Sequence, residues 1–232
     1  MPPADIESTP TAAADSPTTK HQGSGAAAAS ASPSNSGHTA ARRILSAITI
    51  LLIAYYFLGA SVKEAFQYHP IMMAIAFVGL MPETIHAVKA VKRSRTLVDR
   101  NAAISNHMNM AYGLKLFSIA GLIAIVIVKQ QYGKFHFTSL HGQIGVLTVA
   151  LVAVQVILGY VYHSRSCGGG GAMQAKLRKA HYYLGIAVLV GGILSMGLGM
   201  MSHTGERLVP NPLMHTFLTC VTALVSVWAY LK

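Results

Sequence analysis

Six long apolar runs dominate this sequence and restrict the folds open to it. They cover residues 44–62, 65–88, 104–128, 135–164, 180–205 and 208–231. A bilayer core of about 30 Å needs roughly 20 residues of α-helix, and each run is about that long or longer. In lipid every backbone polar group must be paired internally, which a helix achieves within a single run. The sequence therefore predicts an all-α membrane protein with six transmembrane helices.

The charged residues are few and unevenly distributed. Asp, Glu, Lys and Arg make up 11% of the chain, against about 25% in soluble proteins. If both termini share one side of the membrane, that side holds thirteen of the 18 Lys and Arg residues, the other side holds four, and Lys115 lies inside a helix. The positive-inside rule then places both termini in the cytoplasm. This topology explains the excess of basic over acidic residues without a nucleic-acid partner.

The chain divides into a tail and a membrane domain. Residues 1–41 are rich in Ala, Ser, Pro, Thr and Gly and have no apolar periodicity, so we expect a disordered cytoplasmic tail. The tail lacks the basic start and apolar core of a secretory signal. Residues 42–232 form the six-helix domain, in either an endomembrane (vesicle, lysosome or vacuole) or the plasma membrane. Cys167 and Cys220 have no partner at metal-ligand spacing, and we assign them no role.

Four histidines fall in two pairs at opposite ends of the helices. His69 and His141 lie at the non-cytoplasmic ends of the second and fourth helices. His107 and His181 lie at the cytoplasmic ends of the third and fifth helices, which run the opposite way. Helices two to five thus form a four-helix core, and such cores commonly hold cofactors. The pattern predicts two haems, each held by two imidazoles, which favours electron transfer because no axial position stays open.

The spacing and the neighbouring residues support flat ligands. Small residues follow three of the four histidines at the fourth position, which leaves room for a porphyrin. These residues are Ala111, Gly145 and Gly185, while Met73 is the exception after His69. The level of His181 corresponds to about residue 161 on the fourth helix, roughly 30 Å from His141. One haem cannot span that distance, whereas two can.

The other histidines have a simpler interpretation. A lone histidine in a membrane helix commonly makes a helix–helix hydrogen bond or lies at the interface. We expect interfacial positions for His86, His163, His203 and His215, although His86 remains an alternative to His107 as a ligand. A ferric chelate docking near His136, His203 and His215 is a further alternative. Lys115 lies about 12 Å beyond His107, and a charge at that depth suggests a function that the sequence does not identify.

Short motifs resemble those of the cytochrome b561 family. Residues 68–73 (YHPIMM) resemble the family's His-Pro-x-x-Met motif at the second helix. Residues 137–142 (FTSLHG) resemble its Tyr-Ser-Leu-His-Ser-Trp stretch, and 177–181 (LRKAH) its approach to the fifth helix. The stretch 133–136 (GKFH) followed by 141–143 (HGQ) is similar to the short cytochrome b561 domain proteins. The resemblance covers roughly residues 44–231.

The resemblance implies an activity and a set of sites. It implies a transmembrane oxidoreductase with two haem b groups, which takes electrons from cytoplasmic ascorbate to monodehydroascorbate or a ferric chelate on the other side. His69 and His141 would hold the non-cytoplasmic haem iron, and His107 and His181 the cytoplasmic one. We also expect a homodimer. Matching positions beside the haems or ascorbate are Arg93 and Arg100 on the cytoplasmic side and His136, Phe137, Thr138 and Ser139 on the other.

One position departs from the family pattern. A family arginine seven residues before the fifth-helix histidine corresponds to Gln174 here. Lys176, Arg178 or Lys179 would take its place as a contact for the anionic substrate, together with Arg100. Clustered cations raise the local concentration of an anion such as ascorbate, although each of these residues could equally serve topology alone.

Two other functions stay open at this point. The first is a membrane haem subunit that passes electrons to quinone for a soluble partner. The second is a six-helix transporter whose histidines bind protons or a metal. Transporters of this size often contain broken helices near the midplane, and the Gly191–Gly192 pair is the one hint of that in the sequence.

Overall fold

The computed structural model describes residues 33–58, 64–166 and 171–231, and the regular structure within them is entirely helical. Six helical stretches are long and apolar enough to cross a membrane, which confirms the predicted all-α membrane fold. The second of these stretches contains α2, a π-helical segment and α3 in direct succession. The helices are α1 (Pro33–Leu58), α2 (Glu64–Ala74), the π-helical segment (Ile75–Leu80), α3 (Met81–Arg93), α4 (Leu97–Gln131), α5 (Leu140–Ser166), α6 (Ala172–Met200), α7 (His203–Leu208) and α8 (Pro212–Leu231).

Several helices do not end where the apolar runs end. The first helix begins at Pro33, inside the stretch 1–41, and residues 1–32 lie outside the described residues. The helix α4 begins at Leu97 rather than 104, because Thr96 caps it by accepting a hydrogen bond from the Asp99 amide. Polar residues extend both helices beyond their apolar runs, because hydropathy alone does not set where a helix begins. His107 therefore lies three turns inside α4 and not at its start.

Two apolar runs are longer than the helical segments they contain at one end. The run at 135–164 becomes helical only at Leu140, after an irregular loop. The run at 180–205 ends its helix at Met200 and continues into the short helix α7, which Ser202 caps by accepting from the Gly205 amide. The late start of α5 and the early end of α6 were not expected because hydropathy carries no information on loop and cap geometry.

The four-helix core is built from two antiparallel pairs. The helix α4 packs along α2 and α3, and α5 packs along α6. Between the pairs lies an apolar layer centred on Phe77, with Met73, Met81, Leu114, Val149, Val152, Val188 and Leu189 around it. The helices α1 and α8 flank this core, and they contact α2, α3, α6 and each other.

Charged residues fix the outer helices to α3. Arg42 is only 3% exposed, and its Nη2 atom lies 2.6 Å from Glu83 Oε1. Arg43 joins the same carboxylate at 2.8 Å from a much more exposed position. The Lys89 ammonium donates to the carbonyls of Ala229 and Tyr230 at 2.8 and 2.7 Å, and so caps the end of α8. These contacts join α1 and α8 to α3 at the end of the bundle that contains His107.

Candidate functional site

The four predicted histidines meet in the two expected pairs. The imidazole ring centroids of His69 and His141 are 6.0 Å apart, with an angle of 77° between the ring planes. Those of His107 and His181 are 6.2 Å apart, with the same angle. We call these the His69/His141 site and the His107/His181 site. They lie at opposite ends of the four-helix core, with the apolar layer around Phe77 between them.

The ring separation fits a metal bound between two imidazoles. A metal bound at about 2 Å by two facing Nε2 atoms separates the ring centroids by about 6.2 Å, because each centroid lies roughly 1.1 Å from its nitrogen. Within the described ranges, no cluster of three or more His, Cys, Asp or Glu side chains could complete a metal site from the protein alone. A two-histidine set suits a metal that brings its own equatorial ligands, as haem iron does.

Three of the histidines are held by a backbone carbonyl on a neighbouring helix. The Nδ1 atom of His69 donates to Gly121 O at 2.8 Å, that of His107 to Thr84 O at 3.1 Å, and that of His141 to Ser195 O at 2.9 Å. A carbonyl can only accept, so Nδ1 carries the hydrogen and Nε2 keeps its lone pair for a metal. Such hydrogen bonds fix the tautomer and the orientation of ligating histidines.

The accepting carbonyls follow a regular spacing. Gly121 lies fourteen residues after His107 on α4, and Ser195 lies fourteen residues after His181 on α6. Thr84 lies fifteen residues after His69, and the π-helical segment lies between these two residues. A π-helical turn accommodates one more residue than an α-helical turn, which accounts for the longer spacing. The π-helical segment thus keeps the Thr84 carbonyl in register with His107.

Two glycines that the sequence analysis missed let the ligand rings approach the helices. A Cβ atom at Gly199 would lie 2.9 Å from His141 Cε1, and one at Gly159 would lie 2.9 Å from His181 Cε1. Gly145 and Gly185, predicted to leave room for a porphyrin, instead face side chains of the neighbouring helix. A Cβ at Gly145 would lie 3.1 Å from Ser195 Oγ, and one at Gly185 would lie 3.0 Å from Gln155 Nε2.

A cavity of about 260 Å³ surrounds the His69/His141 site. Its lining includes both histidines and, from the loop before α5, the side chains of His136, Phe137 and Ser139. Thr138, predicted to belong to the same segment, is exposed and is not among the lining residues. Phe137 has a φ of 55°, a left-handed conformation that is uncommon for a bulky residue and typical of functional sites.

Exposed cations and several buried polar atoms lie at the end of the bundle that holds the His107/His181 site. Arg100, Lys176, Arg178 and Lys179 are exposed near the starts of α4 and α6, and Arg93 is exposed at the end of α3. Gln174, at the position of the family arginine, has a buried Nε2 atom with no hydrogen-bond partner within residues 33–58, 64–166 and 171–231. The Gln155 Oε1 atom is likewise buried without a partner in the described part of the chain, and the His181 imidazole faces the Gln155 backbone.

The remaining predicted candidates lie elsewhere. His107, and not His86, faces His181. The His86 Nε2 atom lies 3.4 Å from Thr39 Oγ1. His163 and His203 are exposed, while His215 Nε2 donates to Met200 O at 2.7 Å. The Lys115 ammonium lies 5.4 Å from the centre of the Tyr112 ring, a cation–π contact. Cys220 is a free, exposed thiol, and Cys167 lies outside the described residues.

Comparison with known proteins identifies the family. The family described as eukaryotic cytochrome b561 matches residues 68–206, which include all four paired histidines. The transmembrane reductases CYB561D2 of Mus musculus and Homo sapiens are each 27% identical over 173 residues, which cover 70% of this chain and 72% of theirs. The transmembrane ascorbate ferrireductase 2 of Arabidopsis thaliana is 24% identical over 163 residues, 68% of each chain. The chain therefore belongs to the cytochrome b561 family of haem b-binding, multi-pass membrane oxidoreductases.

Proposed function

We propose that this protein is a transmembrane reductase with two haem b groups, one at each histidine pair. It takes electrons from cytoplasmic ascorbate and delivers them to monodehydroascorbate or a ferric chelate on the opposite side. The observation that carries the proposal is the pair of ring separations, 6.0 and 6.2 Å, at opposite ends of one bundle. The haems would supply one-electron carriers near each membrane face.

The protein's own residues would orient the ligands and exclude water between the sites. The carbonyls of Gly121, Thr84 and Ser195 hold three imidazoles with Nε2 free. The layer around Phe77 between the two sites consists of buried apolar side chains. A low-dielectric layer of this kind also keeps protons from crossing with the electron.

The charge distribution supports the direction of transfer. The cations Arg100, Lys176, Arg178 and Lys179 are exposed at the same end of the bundle as the His107/His181 site, and the positive-inside rule assigns that face to the cytoplasm. Ascorbate is an anion at neutral pH, and clustered cations would attract it to this face. The Gln174 Nε2 atom is a buried donor without a partner among the residues that the structure describes, and it fits an anion, either a haem propionate or ascorbate.

The electron acceptor would bind at the opposite face of the membrane domain, beside the His69/His141 site. The loop before α5 forms one wall of the cavity there, with His136 and Phe137 among the lining residues. The name of the Arabidopsis relative describes a protein that reduces ferric iron with ascorbate, which favours a ferric chelate for this chain. One-electron reduction of a ferric chelate needs no proton, whereas reduction of monodehydroascorbate takes one electron and one proton.

A spectrum tests the proposal directly. Purified protein would be oxidised, reduced with ascorbate and measured for absorbance, with haem content determined per chain. We expect two low-spin haems per chain, both reduced by ascorbate, and faster reduction in vesicles when ascorbate is on the side of the termini. One haem per chain would contradict the dihaem proposal. Reduction only by a quinol would favour the quinone-linked subunit, and colourless protein from haem-replete cells would favour the transporter.

A further inference from the structure

The lining of the cavity described above contains one charged side chain. Among the described residues that line it, Lys129 is the one Lys, Arg, Asp or Glu. Leu122, Ile125 and Lys129 follow one another at helical spacing on the face of α4 that borders the cavity. Lys129 lies about 12 Å along the helix beyond Gly121, whose carbonyl holds His69. It is therefore at the end of the cavity that meets the loop before α5.

The Lys129 ammonium contacts this loop but is not neutralised by it. Its Nζ atom donates to the Phe135 carbonyl at 3.2 Å, which joins the end of α4 to the loop that carries His136 and Phe137. An ammonium has three hydrogens to donate. In the described part of the chain, no carboxylate and no second acceptor contacts Lys129. A half-buried cation whose partner is a neutral carbonyl favours a ligand that carries negative charge.

Two simpler roles do not explain the position of Lys129. The positive-inside rule accounts for cations at the cytoplasmic end of the bundle, whereas Lys129 lies at the opposite end. A cation in the last turn of α4 also complements the helix dipole, but that role requires no cavity. Neither role accounts for a lysine in the lining of a cavity beside two predicted haem ligands.

We propose that Lys129 binds a carboxylate in this cavity, either a propionate of the haem at the His69/His141 site or a carboxylate of an anionic ferric chelate. The proposal rests on the dihaem reductase function proposed above and names a binding residue on its acceptor side. Propionates are anions whose burial in lipid is costly, so they face the aqueous end of a haem site. Lys129 lies at that end, and an ammonium forms strong, charge-assisted hydrogen bonds with carboxylate oxygens.

Redox titration of Lys129→Met, which keeps an unbranched side chain without the charge, tests whether the carboxylate belongs to the haem. Loss of a nearby cation disfavours the reduced haem, which carries one positive charge fewer than the oxidised haem. At a fixed potential we expect the reduced-to-oxidised ratio of the His69/His141 haem to fall about tenfold, or 59 mV for a one-electron couple. The purified protein would be titrated without acceptor and followed by absorbance. The His107/His181 haem should not change and is the internal reference.

Reduction kinetics with two acceptors test whether the carboxylate belongs to the chelate. Ferric citrate carries carboxylates, whereas hexaammineruthenium(III) is a cation without them, and each takes up one electron. If Lys129 binds the chelate, Lys129→Met should raise the KM for ferric citrate about tenfold, which corresponds to one lost hydrogen bond to a charged group. The KM for the ruthenium complex and the potentials of both haems should then stay unchanged.

Control variants separate a charge effect from a packing effect. Lys129→Arg keeps the positive charge, so it should retain the potential and the KM of the wild type. Lys134→Met is the matched control, because Lys134 is exposed, follows five residues later and is not among the lining residues. Should Lys129→Met not fold, Lys129→Gln removes the charge and keeps a donor for the Phe135 carbonyl.

The proposal is overturned if removal of the Lys129 charge changes neither the potential nor the KM for ferric citrate. It is also overturned if Lys129→Arg behaves like Lys129→Met, or if both haems shift equally, because these results would indicate altered packing. A failure of the dihaem function itself is distinguishable, since wild-type protein would then contain fewer than two haems before any substitution.

Discussion

The two histidine sites share one core geometry and differ in their surroundings. Both have rings about 6 Å apart, and in both a glycine lets one ring touch the neighbouring helix. The His69/His141 site has both Nδ1 atoms on rigid carbonyls and lies in a cavity bounded by a loop with a left-handed Phe137. At the His107/His181 site the Nδ1 atom of His107 is held by the Thr84 carbonyl, and exposed cations lie near the starts of α4 and α6 at that end of the bundle. The antiparallel helix pairs give both sites the same arrangement of histidine rings. The residues around each site differ between the two ends of the bundle.

Removal of a single ligand should show whether the two sites load haem independently. His141→Ala and His181→Ala each leave a lone imidazole opposite an empty position, so each should lose most of one low-spin haem and keep the other. Haem content per chain should fall from two to about one, and the lost spectral component should differ between the variants. His163→Ala removes an exposed histidine from α5 and should retain both haems. Loss of both haems in either variant would show that the sites depend on each other.

Helical counting predicted the pairing of the histidines, because the ligand positions depend mainly on helix direction and depth. The estimate that His181 lies opposite residue 161 differs little from the observed contact at Gly159. Apolar run length likewise predicted the number of membrane helices. Both features follow from distances along a helix axis, which a sequence reports directly at about 1.5 Å per residue.

Features that depend on helix rotation were not predictable in the same way. The contacts at Gly159 and Gly199 depend on which face of one helix meets the next, and glycine is frequent in membrane helices for many reasons. The π-helical segment changes the register by one residue within an unbroken apolar run, so neither hydropathy nor composition indicates it. The late start of α5 depends on loop geometry around Phe137, which alternation of apolar residues does not encode.

The ion pair between Arg42 and Glu83 should stabilise the His107/His181 site more than the His69/His141 site. Glu83 precedes the Thr84 whose carbonyl holds His107, and Arg42 is buried against its carboxylate. Arg42→Met removes the closest partner of that partly buried carboxylate, which Arg43 still binds, so we expect a loss of about 1.5–3 kcal/mol in stability. Thermal unfolding in detergent, followed by haem absorbance, would measure it. The exposed Arg43→Met is the matched control and should cost about 0–1 kcal/mol. Equal losses would contradict the assigned difference in burial.

The two ring-contacting glycines provide a symmetric test of the two sites. Alanine at Gly159 or Gly199 would place a methyl group 2.9 Å from a ligand ring, so the ring or the helix must shift. We expect each variant to lose about 1–3 kcal/mol of stability and to alter the low-spin spectrum of its own haem alone. Gly197→Ala is the matched control on α6, where the added methyl group meets nothing within 4 Å. Spectra altered at the distant haem would argue against separate sites.

The smallest expected effect concerns the π-helical segment between the sites. Ser226 Oγ donates to the Phe77 carbonyl at 3.2 Å, a buried hydrogen bond from α8 to this segment. Ser226→Ala leaves that carbonyl without this donor, and we expect a loss of about 1 kcal/mol. Ser118→Ala is the control, because the equally buried Ser118 hydroxyl donates to Lys115 O within its own helix. Apparent melting temperatures of the two variants would provide the comparison.

The spectra of Ser226→Ala would also show how the π-helical segment serves the two sites. It lies between His69 and Thr84 in one membrane stretch, so a change in its register moves the Thr84 carbonyl relative to His107 while Gly121 still holds His69. We therefore expect a small change in the low-spin signal of the His107/His181 haem and none in the other. If the His69/His141 haem changes instead, the segment controls the first half of that stretch, and the fifteen-residue spacing has another cause.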